Sequence, residues 1–261
     1  MVGPFQFTPI VIIGAGRSGT NILRDALSKL PGHATWPCDE ITSIWRHGNL
    51  NWPNDEFPLA LATSTVRYTV RKAFKRIWSQ QGKPNFVIEK TCANSLRYPF
   101  VDKVLPEAKY IYIVRNGFDV IASARKRWRG ELEFSGLSYY LSKARYAPLW
   151  DLPYYAVSAV RNRLAIKFGL REHFDSWGPR FEGLDALSHL DLDEIVALQW
   201  LACVNSSDAA LSQINGSRVF YLRYEDFVCD PARSLMQITQ WLNVSLGNEA
   251  ISQAISSVRA S

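Results

Sequence analysis

The segment that most narrows the fold lies near the N-terminus, where a short β-branched run, residues 8 to 14 (TPIVIIG), ends in glycine and a helical pattern follows. In NILRDALSKL the apolar residues Ile22, Leu23, Ala26, Leu27 and Leu30 recur at helical spacing, giving strand, glycine loop, helix. Such a loop brings free backbone N–H groups and the positive end of a helix dipole to one point, which suits an anion. The alternation then repeats. TVRYTVRKAFKRIW reads as a basic amphipathic helix before a strand in NFVIEKT; KYIYIV, residues 109 to 114, is a buried strand leading through a polar turn at Arg115 to Asp119 into a helix in DVIASARKRW. A long helix is predicted around LDEIVALQWLACVNSSDAAL. SRVFYLRYEDF supplies a fourth strand, and DPARSLMQITQWLNV a closing helix with proline in its first turn. From about Trp128 to Gly183 the pattern is irregular and rich in Tyr, Trp, Arg and Gly, as expected of a cap over the sheet. Strands alternating with helices predict an α/β fold on a parallel sheet, and no repeat or linker divides residues 1–261 into more than one domain.

Composition removes several function classes. The 261 residues are 47% hydrophobic, enough for one large core, so disorder is not the main theme. Lys and Arg exceed Asp and Glu by 30 to 24, a net +6, but they are scattered rather than clustered, which points to an anionic small ligand and away from nucleic acid. Cys38, Cys92, Cys203 and Cys229 form no CxxC pair, and His33, His47, His173 and His189 show no ligand spacing. Neither a metal site nor a disulfide framework is expected, only reduced buried thiols. No run is long and apolar enough to span a membrane and no signal peptide is visible, so a soluble cytoplasmic protein is expected. Sequons at Asn205, Asn215 and Asn243 would matter in a Golgi lumen, with a membrane anchor removed.

The loop itself, GAGRSGTN from Gly14 to Asn21, admits three readings. As GxGxxG it uses Gly14, Gly16 and Gly19, with Asp39 or Glu40 where a ribose-binding acid would be sought. As a Walker A loop it has Gly14 and Gly19 in place but Thr20 where the phosphate-gripping lysine belongs. In the third reading Arg17 offers forked donors to a sulfonate, and Ser18, Gly19, Thr20 and Asn21 complete the cradle. An ordinary glycine turn is the remaining alternative.

A second group of residues separates these readings. Arg115 ends a strand, Ser123 follows on the next helix, and Arg127 lies one turn beyond Ser123 on the same face. Together they make a pocket for a dianion, which neither a dehydrogenase nor a kinase needs. The nucleotide sulfate donor PAPS does need it, because its ribose carries a 3′-phosphate besides the 5′-phosphosulfate. Taken alone, these arginines would be read as solvating a helix.

These elements together resemble the PAPS-dependent sulfotransferase family. IVIIGAGRSGTNILRDAL is similar to its 5′-phosphosulfate loop, YIYIVRNGFDVIASARKRW to its 3′-phosphate motif, VIEKT to its lysine-bearing central strand, and YLRYEDFVCDPARSLMQITQWL to its late strand and helix. The motifs sit closest to tyrosylprotein and carbohydrate sulfotransferases and their bacterial relatives. The resemblance implies a P-loop-like three-layer sandwich, with a central parallel sheet flanked by helices. It implies that Gly16 to Asn21 hold the 5′-phosphosulfate, that Arg115, Ser123 and Arg127 hold the 3′-phosphate, and that Tyr224 helps place the nucleotide. PAP would be the product.

Sulfuryl transfer needs a base, cations facing the bridging oxygen, and an acceptor in line. Glu40, in WPCDEITSIW, matches the position of the family's glutamate base, with Asp39 as its neighbour. Lys90 ends the VIEK strand, where parallel sheets present ligand-binding groups, and Arg17 would share its work. Glu89 alternates to the opposite face and reads as structural or as an ion-pair partner. Expected acceptors are small-molecule, carbohydrate or peptide hydroxyls; the tryptophans and tyrosines suit all three. The family's C-terminal closing loop is expected to be missing after SSVRAS, which keeps a catalytically silent PAP- or polyanion-binding module in view, with a P-loop small-molecule kinase behind it.

Overall fold

β-branched residues that alternate between the two faces of each strand build the centre of the fold. In β1 (Thr8–Ile13), Ile10 and Ile12 point into one apolar layer and Val11 and Ile13 into the other, all with no exposed surface. This two-sided burial marks a parallel sheet covered by helices on both faces. The computed structural model describes residues 3–128, 145–158, 178–256 and 258, with backbone only at 126–128.

Along the chain follow α1 (Thr20–Ser28), β2 (His33–Thr35), α2 (Thr42–Trp45), α3 (Ser64–Gln80), β3 (Phe86–Lys90), α4 (Tyr98–Val104), β4 (Lys109–Val114) and α5 (Gly117–Trp128). Then come α6 (Leu192–Leu211), β5 (Val219–Arg223), α7 (Tyr224–Cys229), α8 (Pro231–Trp241) and α9 (Asn248–Ile255). The strands form one parallel sheet in the order β2-β3-β1-β4-β5. The predicted α/β architecture, a central parallel sheet flanked by helices, is what the chain adopts. The layer containing Val11, Ile13 and Val87 also holds Phe74 of α3 and Phe100 of α4. On the opposite face Leu23 and Leu27 of α1, Leu235 of α8 and Ile251 of α9 close over Ile10, Ile12 and Ile111.

The order of strands locates the site. The connection leaving β1 runs to the β2 side of the sheet and that leaving the adjacent β4 runs to the β5 side, so a crevice opens at their carboxyl ends. Local signals close the helices that flank it. Asp191 and Glu194 form a reciprocal capping box on α6, and Asp230 accepts the Arg233 N–H at the start of α8, just ahead of Pro231.

Three details differ from the sequence reading. β2 makes the sheet five-stranded rather than four. The last strand stops at Arg223, because Tyr224–Cys229 turns into a helix with Glu225 and Asp226 in its first turn. Cys229 is exposed, whereas Cys38, Cys92 and Cys203 are buried as expected.

Candidate functional site

The loop after β1 is shaped by close backbone packing. A Cβ on Gly14 would lie 2.6 Å from the Ile113 carbonyl oxygen of β4, so only glycine allows the strands to meet there. Arg17 adopts a left-handed φ of 70°, and Gly19 one of 85°, before α1 begins. A Cβ on Gly19 would sit 2.2 Å from the ring of Tyr224. Tyr224, at the start of α7, therefore presses directly on the loop.

The two cationic stations predicted from sequence form one continuous surface. Arg17 Nε donates to Ser123 Oγ on α5 at 2.9 Å, and Arg115, just beyond β4, donates to the Arg17 carbonyl at 3.3 Å. The Arg115 guanidinium lies 4.3 Å from the centre of the Tyr224 ring. Two polar atoms here, Ser18 Oγ and Arg115 Nε, are buried without a hydrogen-bond partner. Arg127 lies in the last turn of α5, and its side chain is outside the described residues.

From this surface a cavity of about 490 Å³ extends past Arg17, Thr20 and Asn21 to Glu40 and Lys90. Lys90 projects from the end of β3, beside Ile12 of β1. Its ammonium contacts Glu40 Oε1 at 3.0 Å and Asp39 Oδ1 at 3.1 Å. Glu40 Oε1 also accepts the Cys92 N–H at 3.2 Å, while Arg24 of α1 holds Asp39 Oδ1 at 2.9 Å. Burial alone would raise both carboxyls; the Lys90 charge, aided by the Cys92 N–H at Glu40 and by Arg24 at Asp39, outweighs it and holds both below the usual carboxylate range. Burial works in the opposite sense on Lys90, and the facing charges prevail, keeping it above the ordinary lysine value. The site is thus a fixed cation between two ionised carboxylates, with the Glu40 side chain 22% exposed toward the cavity.

A family model described as the sulfotransferase family matches residues 9–165, which contain the loop, Glu40, Lys90, Arg115 and Ser123. The chain belongs to the sulfotransferase family. It is accordingly a transferase that moves a sulfuryl group. No curated protein matches it. Its fold is similar to the sulfotransferase domain of the curacin biosynthetic pathway, at 18% identity over 97% of this chain and 80% of that one, with a TM-score of 0.53. The sulfotransferase domain of the Synechococcus PCC 7002 olefin synthase gives the same figures. A sulfotransferase from Alicyclobacillus acidocaldarius is similar at 18% identity over 92% of this chain and 83% of that one, with a TM-score of 0.52. At such identities the likeness is one of fold.

Several contacts around this cavity were not read from the sequence. Asp39, which the sequence offered as a ribose-binding acid or as the neighbour of Glu40, pairs with Lys90, and Arg24 and the Cys92 N–H hold the carboxylates from other elements. The charged residues on α1 gave a weak signal for Arg24; nothing marked the backbone donor. Of the tryptophans in the N-terminal half, Trp36 and Trp45 are buried in the core and Trp52 packs beside it, while the aromatics from Trp128 to Trp177 lie largely outside the described residues. Among the described residues no helix is long and apolar enough to cross a membrane, and no group of His, Cys, Asp and Glu could hold a metal ion.

Proposed function

We propose that this sulfotransferase takes its sulfuryl group from PAPS and passes it to an acceptor hydroxyl, with Glu40 as the base. The observation that carries the reading is the single cavity joining the Arg17, Arg115 and Tyr224 surface to the Lys90–Glu40 pair. The residues fit a nucleotide with two anionic ends. Ser18 Oγ and Arg115 Nε are unpartnered donors, and the first N–H groups of α1 converge beside them. In this reading Gly16, Arg17, Ser18, Gly19, Thr20 and Asn21 hold the 5′-phosphosulfate; Arg115, Ser123 and Arg127 hold the 3′-phosphate; and Tyr224 places the nucleoside.

PAPS, when bound, supplies an activated sulfuryl group and a phosphate that leaves with PAP. The chain supplies the rest. Lys90 and Arg17 set positive charge where negative charge gathers in the transition state, already oriented by their fixed partners. Glu40, ionised at neutral pH, takes the acceptor hydroxyl's proton. Its Oε1 receives the bonds from Lys90 and Cys92, which leaves Oε2 for that proton. A carboxylate held this low is a weak base, so it takes the proton late, as the attacking oxygen becomes acidic.

The test uses labelled PAPS and a panel of acceptors: p-nitrophenol, a tyrosine peptide and a hydroxyl-bearing oligosaccharide. Glu40→Gln is expected to lower label transfer by about 100-fold or more while leaving PAP affinity within about threefold. Transfer at the wild-type rate by Glu40→Gln rules Glu40 out as the base; absence of transfer by the wild-type chain to every acceptor favours the silent nucleotide-binding module.

A further inference from the structure

Lys90 and Glu89 are neighbours on β3, yet they face different environments. Glu89 is 1% exposed, and no described cation lies within ion-pair distance of its carboxylate. Instead it accepts three hydrogen bonds: from Trp45 Nε1 at 3.2 Å, from Thr91 Oγ1, and from Asn94 Nδ2 at 2.9 Å. The Thr91 bond has a consequence across the site. With its proton committed to Glu89, the Thr91 oxygen presents lone pairs, and one accepts the Ile41 N–H at 3.3 Å. Ile41 directly follows Glu40.

We infer that Glu89 is a positioning residue for sulfuryl transfer: through the Thr91 hydroxyl it anchors the Ile41 N–H, and so fixes the Glu40 carboxylate against Lys90. This rests on Glu40 being the base. Three features support it. The relay runs between buried groups, where a hydrogen bond is little weakened by water. Thr91, with no exposed surface, has no solvent to satisfy its hydroxyl otherwise. The segment being anchored, Asp39 to Ile41, lies between β2 and α2; the Ile41 carbonyl accepts the Ile44 and Trp45 N–H groups of α2, and the Ile41 N–H is held from the end of β3 by Thr91, so the residue after Glu40 is fixed from both sides. A second arm from Glu89 passes through Asn94 to Arg97 Nε at 2.9 Å, and from Arg97 to Asp55 at 3.4 Å. Asp55 in turn accepts the Arg180 N–H at 2.9 Å, next to Pro179 in the cavity wall.

Thr91→Val removes the hydroxyl while keeping the shape; Thr91→Ser keeps the hydroxyl. The expected result is a kcat for label transfer from PAPS about tenfold or more lower in Thr91→Val, with PAP affinity within about twofold, and kcat within about threefold of wild type in Thr91→Ser. Added to Glu40→Gln, Thr91→Val should cause no further loss, because both act through one group. Should the valine protein fail to fold, as judged by its melting transition, Thr91→Ala serves in its place with the same expectation. A wild-type kcat in the hydroxyl-free variant, equal losses in the valine and serine variants, or a loss of kcat matched by a loss of PAP affinity would overturn the proposal. A Glu40→Gln protein that transfers normally removes the base assignment itself; an inactive Glu40→Gln beside a fully active Thr91→Val removes only the positioning role.

Discussion

At Gly19 two independent constraints fall on one residue. Its φ of 85° disfavours any L side chain, and a Cβ would collide with the Tyr224 ring at 2.2 Å. Gly19→Ala is therefore expected to cost about 2 kcal/mol or more and to weaken PAP binding as Tyr224 is displaced, which denaturant unfolding and titration calorimetry measure. Glu89 gives a prediction in pH. Burial raises it from 4.5 to about 7, against the pull of Thr91, Trp45 and Arg97 and with a small push from Glu40. Between those values the folded protein keeps a proton that the unfolded chain has released, so this group's contribution to stability falls as pH rises from about 4.5 to about 7. Asp39 and Glu40, held low, contribute a constant amount across that window and lose it only at lower pH. His33, lowered by burial, titrates in both wild type and Glu89→Gln and cancels from the comparison. Melting scans from pH 5 to 8 should show the wild type losing more stability with rising pH than Glu89→Gln; parallel curves would show that Glu89 does not titrate there. Arg17, Lys90 and Arg115 were legible as residues because strand ends and glycine loops announce them. Thr91 and the Cys92 N–H were not, since a relay from side chain to backbone leaves no periodic trace.

A hydrogen bond from Arg17 Nε to Ser123 Oγ ties helix α5 to the loop after β1, joining residues 106 apart in sequence. Ser123→Ala is expected to lower PAP affinity by about tenfold, in keeping with the loss of a hydrogen bond to a charged group, with little change in melting temperature. An unchanged affinity would mean that α5 does not help to shape the nucleotide site. Long periodic elements such as α3, α6 and β4 could be read from sequence within a few residues, because their buried faces repeat. β2 could not, being three residues long, and α4 and α9 are too short for a full apolar stripe. The end of β5 was overrun for a different reason. Tyr221 and Tyr224 continue a strand-like pattern, but the chain turns helical so that Tyr224 reaches Gly19 and Arg115.

Across the whole molecule, charged side chains of both signs meet in one cavity at the carboxyl ends of β1, β3 and β4. Arg17 and Arg115 stand at one end of the cavity, with Lys90 between acidic partners at the other. The strand order makes this crevice, and the family match is consistent with its chemistry. In the proposed function one nucleotide with anionic groups on both its 5′ and 3′ sides spans the arginine surface. Titration calorimetry with PAP and with adenosine 5′-monophosphate, which differ only in the 3′-phosphate, tests it most directly, in the wild type and in Arg115→Ala. Wild type is expected to bind PAP at least about tenfold more tightly than the monophosphate, and Arg115→Ala to erase most of that preference. Equal affinity of the wild type for the two nucleotides would contradict it.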